Sequence, residues 1–167
     1  MTAKEIILPF TAEMISSLKI GEKLLLSGKL ITARDAAHQR MSELLKRGES
    51  LPFDLRENCI YYCGPTPAKP GFPIGACGPT TSGRMDVYAQ LLFENGMRSM
   101  IGKGERSLKV VELIKKYQGV YLIAIGGAGA LYGQCVTRSR CIAWSDLGAE
   151  AVYEIEVVDF PCFVGNV

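Results

Sequence analysis

The sequence predicts an α/β fold in which β-strands are flanked by α-helices. Short apolar runs of the kind that form buried strands alternate with segments whose apolar residues recur at helical spacing, and this alternation is typical of α/β domains. The chain has 167 residues, of which 48% are hydrophobic and 22% charged. Those values suit one domain with its own core. We therefore expect a single domain over residues 1–167.

A strand followed by a helix is the first predicted pair of elements. The run EKLLLSGKLI (22–31) contains strand-compatible apolar stretches. Within residues 36–47, Ala37 and Met41 belong to a set of apolar residues at helical spacing, and Gly48 follows as a stop signal. A strand that leads into a helix is the expected result.

The middle of the chain combines a short strand with a long irregular stretch. The run CIYYCG (59–64) predicts a buried strand. Residues 65–79 then contain five prolines in fifteen positions. Irregular stretches of this length within a compact domain are usually functional or mobile. This stretch is therefore a candidate functional loop.

The remaining residues predict helices and strands in alternation. Apolar spacing and turn residues separate the elements. The last segment alternates as a closing strand does, although its first part is equally compatible with a helix. The predicted elements are a helix over 81–94, a strand over 98–104, a helix over 107–117, a strand over 119–127, a short helix over 128–136 and a strand over 149–160.

The charge pattern excludes some classes of partner. The net charge is +2, and the positive and negative side chains are interspersed, which does not favour nucleic acid or a membrane surface. No apolar run approaches the roughly 20 residues of a transmembrane helix, and the first residues lack the pattern of a signal peptide. We expect a cytoplasmic protein that binds neither nucleic acid nor membrane.

Six cysteines are spread along the chain without a C-x-x-C pair. The spacing of zinc or iron–sulfur ligands is thus missing, and His38 is the only histidine. We expect buried free thiols and no metal site built by this chain alone. One alternative treats Cys63 or Cys77 as a reactive thiol in the proline-rich stretch. The six are Cys59, Cys63, Cys77, Cys135, Cys141 and Cys162.

Two segments, ITARDAAH (31–38) and GPTTSGRMD (78–86), share the pattern of a helix start. Each places a hydroxyl residue where an N-cap belongs, then an arginine and an aspartate. In the first segment these are Thr32, Arg34 and Asp35. An arginine in the first turn is disfavoured by roughly 0.3–1 kcal/mol because the N-terminus of a helix carries partial positive charge. A bound carboxylate or phosphate would reverse that effect.

The second segment has three possible caps, Thr80, Thr81 and Ser82, followed by Arg84 and Asp86. The alternative to an anion site is that each arginine simply pairs with the aspartate next to it. For this segment that alternative predicts an ion pair between Arg84 and Asp86.

Two further residues are candidates for the same anion site. Lys103 lies between two glycines after a predicted strand, and glycines let a ligand approach the backbone closely. His38 lies one helical turn after Arg34, so both side chains can project from one face. A structural histidine with satisfied hydrogen bonds is the alternative for His38.

The glycine-rich run GGAGALYG (126–133) is not a dinucleotide-binding motif. The third glycine of that motif would fall at position 132, which is Tyr132. Close packing between a strand and a helix is the favoured explanation of these glycines.

Taken together, seven motifs resemble the β subunit, or C-terminal domain, of the iron–sulfur fumarases and L-tartrate dehydratases, the class I hydro-lyases. They occur in that family's order over about residues 20–162, so the resemblance covers nearly the whole chain. The motifs are TARDAAH, YCGPTPAKPG, GPTTSGRMD, IGKGER, GGAGAL, DLGAEAV and VVDFP.

The resemblance implies a swivelling β/β/α domain and a hydro-lyase that reversibly hydrates fumarate to L-malate. Within the family, the alternative is an L-tartrate dehydratase, which converts tartrate to oxaloacetate and water. From another class, the alternative is a non-catalytic regulatory module that binds small anions.

The resemblance also implies a partner. In that family a four-iron four-sulfur cluster is held by three cysteines of the α subunit or N-terminal domain, and nothing in this chain matches that part. The implied protein is a β subunit that is inactive alone and completes its site on a cluster-bearing α subunit. The assembly would be an α–β heteromer, which can dimerise further.

Site residues carry over motif by motif. The resemblance implies that Thr80 abstracts a proton and that Arg84 stabilises the charge that develops on the substrate. Asp35 and His38 join the catalytic set by orienting Arg34. The implied substrate-binding residues are Arg34, Thr80, Arg84 and Lys103.

Overall fold

The computed structural model describes residues 2–167, which contain seven β-strands and five α-helices. Two 3₁₀-helices, Ser82–Met85 and Ser145–Glu150, complete the set. The strands are β1 (Lys4–Ile7), β2 (Lys23–Thr32), β3 (Cys59–Tyr61), β4 (Ser99–Gly102), β5 (Val120–Ile123), β6 (Val136–Ala143) and β7 (Val152–Asn166). The α-helices are α1 (Ala12–Ser16), α2 (Asp35–Lys46), α3 (Asp86–Glu94), α4 (Leu108–Lys116) and α5 (Gly129–Gln134).

Five of the strands close into a ring. Strands β2, β3, β4 and β5 are parallel neighbours in that order. Strand β7 runs antiparallel to both β5 and β2 and so joins the two ends of this parallel set. Strand β1 adds to β2 in parallel, and β6 adds to β7 in antiparallel orientation. The α/β class is confirmed, with a mixed rather than purely parallel sheet.

The two faces of the strands contribute to two separate apolar clusters. Leu30 and Tyr61 belong to a cluster built from all five strands of the ring, whereas the next residues, Ile31 and Tyr62, belong to a second cluster. This alternation follows from the two-residue period of a strand. Three helices cover the second cluster on one side, and strands lie on its other side. This arrangement is the β/β/α layering that the resemblance implies. Their buried contributions are Ala37 and Met41 from α2, Ala89 and Leu92 from α3, and Val110 and Ile114 from α4.

Most predicted elements are present, and three were missed. The five predicted strands correspond to β2, β3, β4, β5 and β7, and the four predicted helices to α2, α3, α4 and α5. The prediction did not include β1, α1 or β6. The part of the last segment that was compatible with a helix forms the end of the 3₁₀-helix Ser145–Glu150. None of the helices within residues 2–167 is long and apolar enough to cross a bilayer.

The outer strand β6 carries charged side chains. Arg138 and Arg140 have side chains that are 84% and 70% exposed. They pair with Glu156 and Glu154 of the neighbouring strand β7, at 4.0 Å and 3.0 Å. The edge of the sheet is therefore lined by ion pairs.

Gly28 allows β2 to change its neighbour. The strand pairs with β1 up to Ser27 and with β3 from Leu30 onward, and its register against β7 shifts between Leu26 and Gly28. Gly28 has φ of +125°, and a Cβ there would lie 3.2 Å from the carbonyl oxygen of Leu8. The backbone conformation and the close approach of Leu8 both require glycine.

Replacing Gly28 with alanine is expected to destabilise the fold more than the same change at Gly21. Gly21 also has positive φ, +84°, but its missing Cβ faces open space, so Gly21→Ala should lose only about 1–2 kcal/mol. Gly28→Ala adds a steric overlap worth roughly another 1–3 kcal/mol. Denaturant unfolding of the two variants measures the difference, and equal losses would contradict the steric role.

Candidate functional site

The candidate residues lie at one edge of the parallel strands. Arg34 follows the end of β2, Lys103 follows β4, and Gly126 follows β5. Since parallel strands share a direction, their carboxyl ends meet at the same edge. Ligands of α/β proteins bind outside that edge. The fold therefore gathers residues that are 92 positions apart in the chain into one region.

The segment around Thr80 extends the sheet between the ends of β3 and β4. The Thr80 amide donates to the carbonyl of Tyr62 at 2.6 Å, and the Lys103 amide donates to the carbonyl of Thr80 at 3.2 Å. The Ser82 amide donates in turn to the carbonyl of Lys103 at 2.9 Å. Thr80 is thereby fixed beside Lys103. Its hydroxyl forms no hydrogen bond with other side chains or backbone groups of residues 2–167.

The packing of this segment depends on Gly102. A Cβ at that position would overlap Ser82 Oγ and would lie 2.7 Å from Cδ2 of Tyr62. A ligand was expected to approach the glycine before Lys103, but the protein's own side chains Ser82 and Tyr62 occupy that space.

Neither helix start has the side-chain cap hydrogen bond that was predicted. Thr32 lies in β2, and its hydroxyl accepts a hydrogen bond from the Tyr153 amide at 3.2 Å. Arg34 itself occupies the N-cap position of α2. In the second segment the first turn is a 3₁₀-helix whose N-cap residue, Thr81, makes no side-chain cap bond. The backbone groups of residues 80–82 are used in sheet-like pairing, so an α-helix begins only at Asp86.

Arg84 pairs with Asp35, and the predicted pair with Asp86 is wrong. Arg84 Nε and Nη2 donate to the two oxygens of Asp35 at 3.0 Å and 2.9 Å. Asp86 instead binds Arg106, with 2.7 Å between Oδ1 and Nε. The hydrogen bonds from Arg84 lower the pKa of Asp35, and the same contact raises the pKa of Arg84. Both groups are therefore charged at neutral pH.

Arg34 lies between two carboxylates. Its Nε is 3.4 Å from Oδ2 of Asp35 and 3.2 Å from Oε1 of Glu150. The same Glu150 oxygen accepts a hydrogen bond from the Ala36 amide at 3.3 Å, in the first turn of α2. Sequence reasoning assigned no role to Glu150. The signal available was its position in the motif DLGAEAV. Glu150 is 114 residues from Ala36 in the sequence.

The site carries an excess of one positive charge. Arg34 and Arg84 pair with two carboxylates, Asp35 and Glu150, and Lys103 at the same edge is a third cation. Lys103 forms no ion pair with the carboxylates of residues 2–167. Arg84 still has one nitrogen, Nη1, that the Asp35 contact does not use. The arrangement can bind an anion through Lys103 and the outer edge of Arg84.

His38 supports the site from the core and does not reach its surface. Its side chain is buried, and Nδ1 lies 2.9 Å from the carbonyl oxygen of Arg34. Its ring packs 5.3 Å from that of Tyr62 and 5.9 Å from that of Tyr88. Burial lowers the pKa of His38 to about 4. At neutral pH the ring is uncharged, so Nδ1–H donates to Arg34. The prediction that His38 and Arg34 project together is wrong, because the imidazole points into the core.

Most of the cysteines are buried. Within the described residues no three His, Cys, Asp or Glu side chains converge as metal ligands. Cys63 and Cys77 are buried with their sulfurs 3.5 Å apart. The contact with the Cys77 thiol and burial both raise the pKa of Cys63, which contradicts the reactive-thiol hypothesis for it. The expectation of buried thiols fails only at Cys135, which is half-buried, and Cys141, which is exposed.

Two glycines of GGAGALYG, Gly129 and Gly133, pack against the proline-rich stretch. A Cβ on Gly129 would lie 3.2 Å from the Gly78 amide nitrogen. The Cys77 amide donates to the Gly129 carbonyl at 2.9 Å. Close packing was predicted correctly, but the partner of α5 is this loop and not a strand.

Comparison with known proteins yields one family. The family model described as "Fumarase C-terminus" matches residues 2–166. "Fumarate hydratase class I, aerobic" of Salmonella typhimurium is 41% identical over 154 residues, which are 91% of this chain and 27% of that protein. "Fumarate hydratase 1, mitochondrial" of Leishmania major is 41% identical over 159 residues, which are 94% of this chain and 29% of that protein.

A further relative has a length closer to that of this chain. "Putative L(+)-tartrate dehydratase subunit beta" of Methanocaldococcus jannaschii is 39% identical over 155 residues, which are 90% of this chain and 80% of that protein. The chain thus spans under a third of the two fumarate hydratases and most of this relative.

Titration of His38 is expected to make stability depend on pH. Its pKa is about 4 in the fold against an ordinary value of 6.5. Between these values the unfolded chain binds a proton that the folded chain does not, so stability falls as the pH is lowered. The loss from pH 7 to pH 5 should be about 2 kcal/mol. Denaturant unfolding of wild type and His38→Gln at both pH values measures it.

The comparison is clean because His38 is the only histidine of the chain. The carboxylates titrate equally in both proteins, so the wild type should lose its advantage over His38→Gln as the pH falls. A difference between the two proteins that does not change with pH would contradict the buried, neutral state.

Proposed function

Because the chain belongs to the Fumarase C-terminus family, we propose that it is the β subunit of an iron–sulfur hydro-lyase that reversibly hydrates fumarate to L-malate. The observation that supports this most directly is that the carboxyl edge of the parallel strands carries both the backbone pairing of Thr80 with Lys103 and the ion pairs of Arg34 and Arg84 with Asp35. This grouping suits a small dianion with a reacting carbon between its charges.

The arginines and Lys103 would bind the two carboxylates of the substrate. Asp35 engages Nε and Nη2 of Arg84, which fixes the plane of the guanidinium and leaves Nη1 for the ligand. Lys103 supplies the charge that no carboxylate of residues 2–167 offsets. A guanidinium and an ammonium in one site would together orient a four-carbon dicarboxylate toward the Thr80 hydroxyl.

Thr80 would accept the proton that leaves the substrate carbon. A threonine hydroxyl is normally too weak an acid to lose its own proton at neutral pH. Nearby positive charge in a dry site favours the alkoxide, and Lys103 and Arg84 supply that charge. The same cations would stabilise the negative charge that builds on the substrate. Asp35 and His38 would act on the arginines and not on the substrate.

A second protein surface would complete the site. The side chains of Arg34, Arg84 and Asp35 are 34%, 49% and 39% exposed, whereas proton abstraction by a threonine needs water to be excluded. We propose that a cluster-bearing α subunit holds the four-iron four-sulfur cluster, as the resemblance to this family implies. The two together would form an α–β heteromer.

L-tartrate dehydratase is the second candidate. It is favoured by the 80% coverage of a relative that is named as a tartrate dehydratase β subunit. Tartrate differs from malate by one hydroxyl, and a site built to bind a hydroxyl can discriminate by about 10⁴-fold. An anion-binding regulatory module is the candidate of another class, and it would need neither partner nor cluster.

An assay of the assembled enzyme would separate these functions. The chain is produced with its cluster-bearing partner without oxygen, and turnover of fumarate, L-malate and L-tartrate is measured. We expect hydration of fumarate by the pair and none by the chain alone. Turnover of tartrate only would establish the second candidate. Micromolar binding of dicarboxylates by the chain alone, without turnover by the pair, would favour the regulatory module.

Replacing Thr80 with alanine is expected to lower kcat by at least about 10²-fold, the usual contribution of a general base. Folding and assembly should be unchanged, as circular dichroism and gel filtration would show. Thr81→Ala is the matched control, because Thr81 is the exposed neighbour and makes no side-chain cap bond. Equal activity of the two variants would exclude the proposed base.

Replacing Arg84 with lysine is expected to raise KM for the dicarboxylate by about tenfold or more. A lysine retains the charge but not the planar fork that engages Asp35 and the ligand together. Steady-state kinetics of the assembled pair measures the change. A KM equal to that of the wild type would remove Arg84 from the substrate clamp.

A further inference from the structure

Arg106 is a buried cation that the proposed function does not use. Its side chain is fully buried, so it cannot contact a substrate at the surface. We propose that Arg106 is a positioning residue that fixes the segment 80–86 from behind and so sets the place of Thr80. The effect on catalysis rests on the proposed function, whereas the effect on the segment does not.

The first contact of Arg106 fixes the end of the segment. Its Nε donates to Oδ1 of Asp86 at 2.7 Å, and the Asp86 side chain is only 14% exposed. The other Asp86 oxygen accepts a hydrogen bond from the Ser107 amide at 2.8 Å. The ion pair therefore joins the first residue of α3 to the N-cap residue of α4.

The second contact leads directly to Thr80. Arg106 Nη1 donates to the hydroxyl of Tyr62 at 3.1 Å. The backbone carbonyl of Tyr62 accepts the Thr80 amide at 2.6 Å. One residue thus holds both the buried cation and the proposed base, so a shift of the Tyr62 ring is transmitted to Thr80.

The third contact leads to Ser82. The guanidinium carbon of Arg106 lies 5.0 Å from the ring centre of Tyr121 and 5.2 Å from that of Tyr62. The Tyr121 hydroxyl donates to the carbonyl of Gly104 at 2.7 Å and lies 2.8 Å from Ser82 Oγ, from which it accepts. Arg106 is therefore held between two tyrosines, and each of them anchors a different residue of the segment.

Core packing alone does not explain an arginine here. A buried ion pair is weak evidence for stability, since apolar residues of similar volume often stabilise equally well. The Nη2 group is also buried without a hydrogen-bond partner among residues 2–167, which is unfavourable. What a guanidinium offers instead is a rigid plane with donors in fixed directions. Two such directed hydrogen bonds, to Asp86 and to Tyr62, and the stacking between Tyr62 and Tyr121 connect Arg106 to the segment that carries Thr80.

Amide hydrogen exchange of the chain tests the positioning role without reference to activity. In Arg106→Met, exchange of the Thr80, Ser82 and Lys103 amides should accelerate at least tenfold relative to the amides of β2. Tyr62→Phe removes only the hydroxyl acceptor and should accelerate the same amides to a smaller extent. Unchanged relative exchange in both variants would overturn the proposal.

Arg98 offers a matched control. It is a partly buried arginine whose Nη1 donates to the carbonyls of Phe93 and Met97 at 3.1 Å and 2.7 Å, at the other end of α3. Arg98→Met should leave the relative exchange of the Thr80, Ser82 and Lys103 amides unchanged. If those amides accelerated to the same extent in Arg98→Met and Arg106→Met, Arg106 would be a general stabilising residue and not a positioning residue.

Kinetics of the assembled enzyme test the consequence for Thr80. Arg106→Met and Arg106→Lys should each lower kcat at least tenfold and change KM less than threefold, because Arg84 is held separately by Asp35. Arg98→Met should keep the wild-type kcat. A loss of kcat that only follows the folded fraction, or full rescue by lysine, would overturn the positioning role.

The two proposals can fail separately. An inactive wild-type pair would contradict the proposed function, and the exchange measurement would still decide the role of Arg106.

Discussion

The pairing of β7 with β2 over nine residue pairs is the interaction on which the rest of the fold depends. Because β7 also pairs with β5, it closes the ring without a further parallel crossover. The four parallel strands keep a common direction, and the segments that follow them meet at one edge. Without that closure, the two outer strands of the parallel set would not be joined, and the strands that precede Arg34 and Lys103 would be held less firmly.

The candidate site is held in shape before any ligand arrives. Asp35 fixes the guanidinium of Arg84, and Asp35 with Glu150 flanks that of Arg34. The two carboxylates reduce the net positive charge, but they also limit the conformations of two long side chains. Because these donors are already oriented, their side chains lose less conformational entropy when an anion binds. Lys103, which lacks such a carboxylate within the described residues, supplies the remaining charge.

Periodicity and turn residues were enough to predict the helices that cover the sheet and the strands of the ring. They were not enough for β6, because this strand is exposed and its neighbour β7 supplies the pairing. The repeated arginine–aspartate pattern identified Arg34 and Arg84 as candidates, but local spacing suggested the wrong partner for Arg84. The actual partner, Asp35, is 49 residues away, and only the fold brings it near. Arg106 was missed for the same reason, since its partners lie on separate elements.

The charged edge of the sheet affects how the chain behaves in concentrated solution. An outer strand exposes backbone donors and acceptors that another copy of the chain can pair with, which leads to aggregation. Arg138 and Arg140 on β6 are exposed, and two such strands would bring like charges together. The strand at the other edge, β1, has only four residues. Both ends of the sheet therefore resist sheet-to-sheet association, so copies of the chain are kept from joining edge to edge at high concentration.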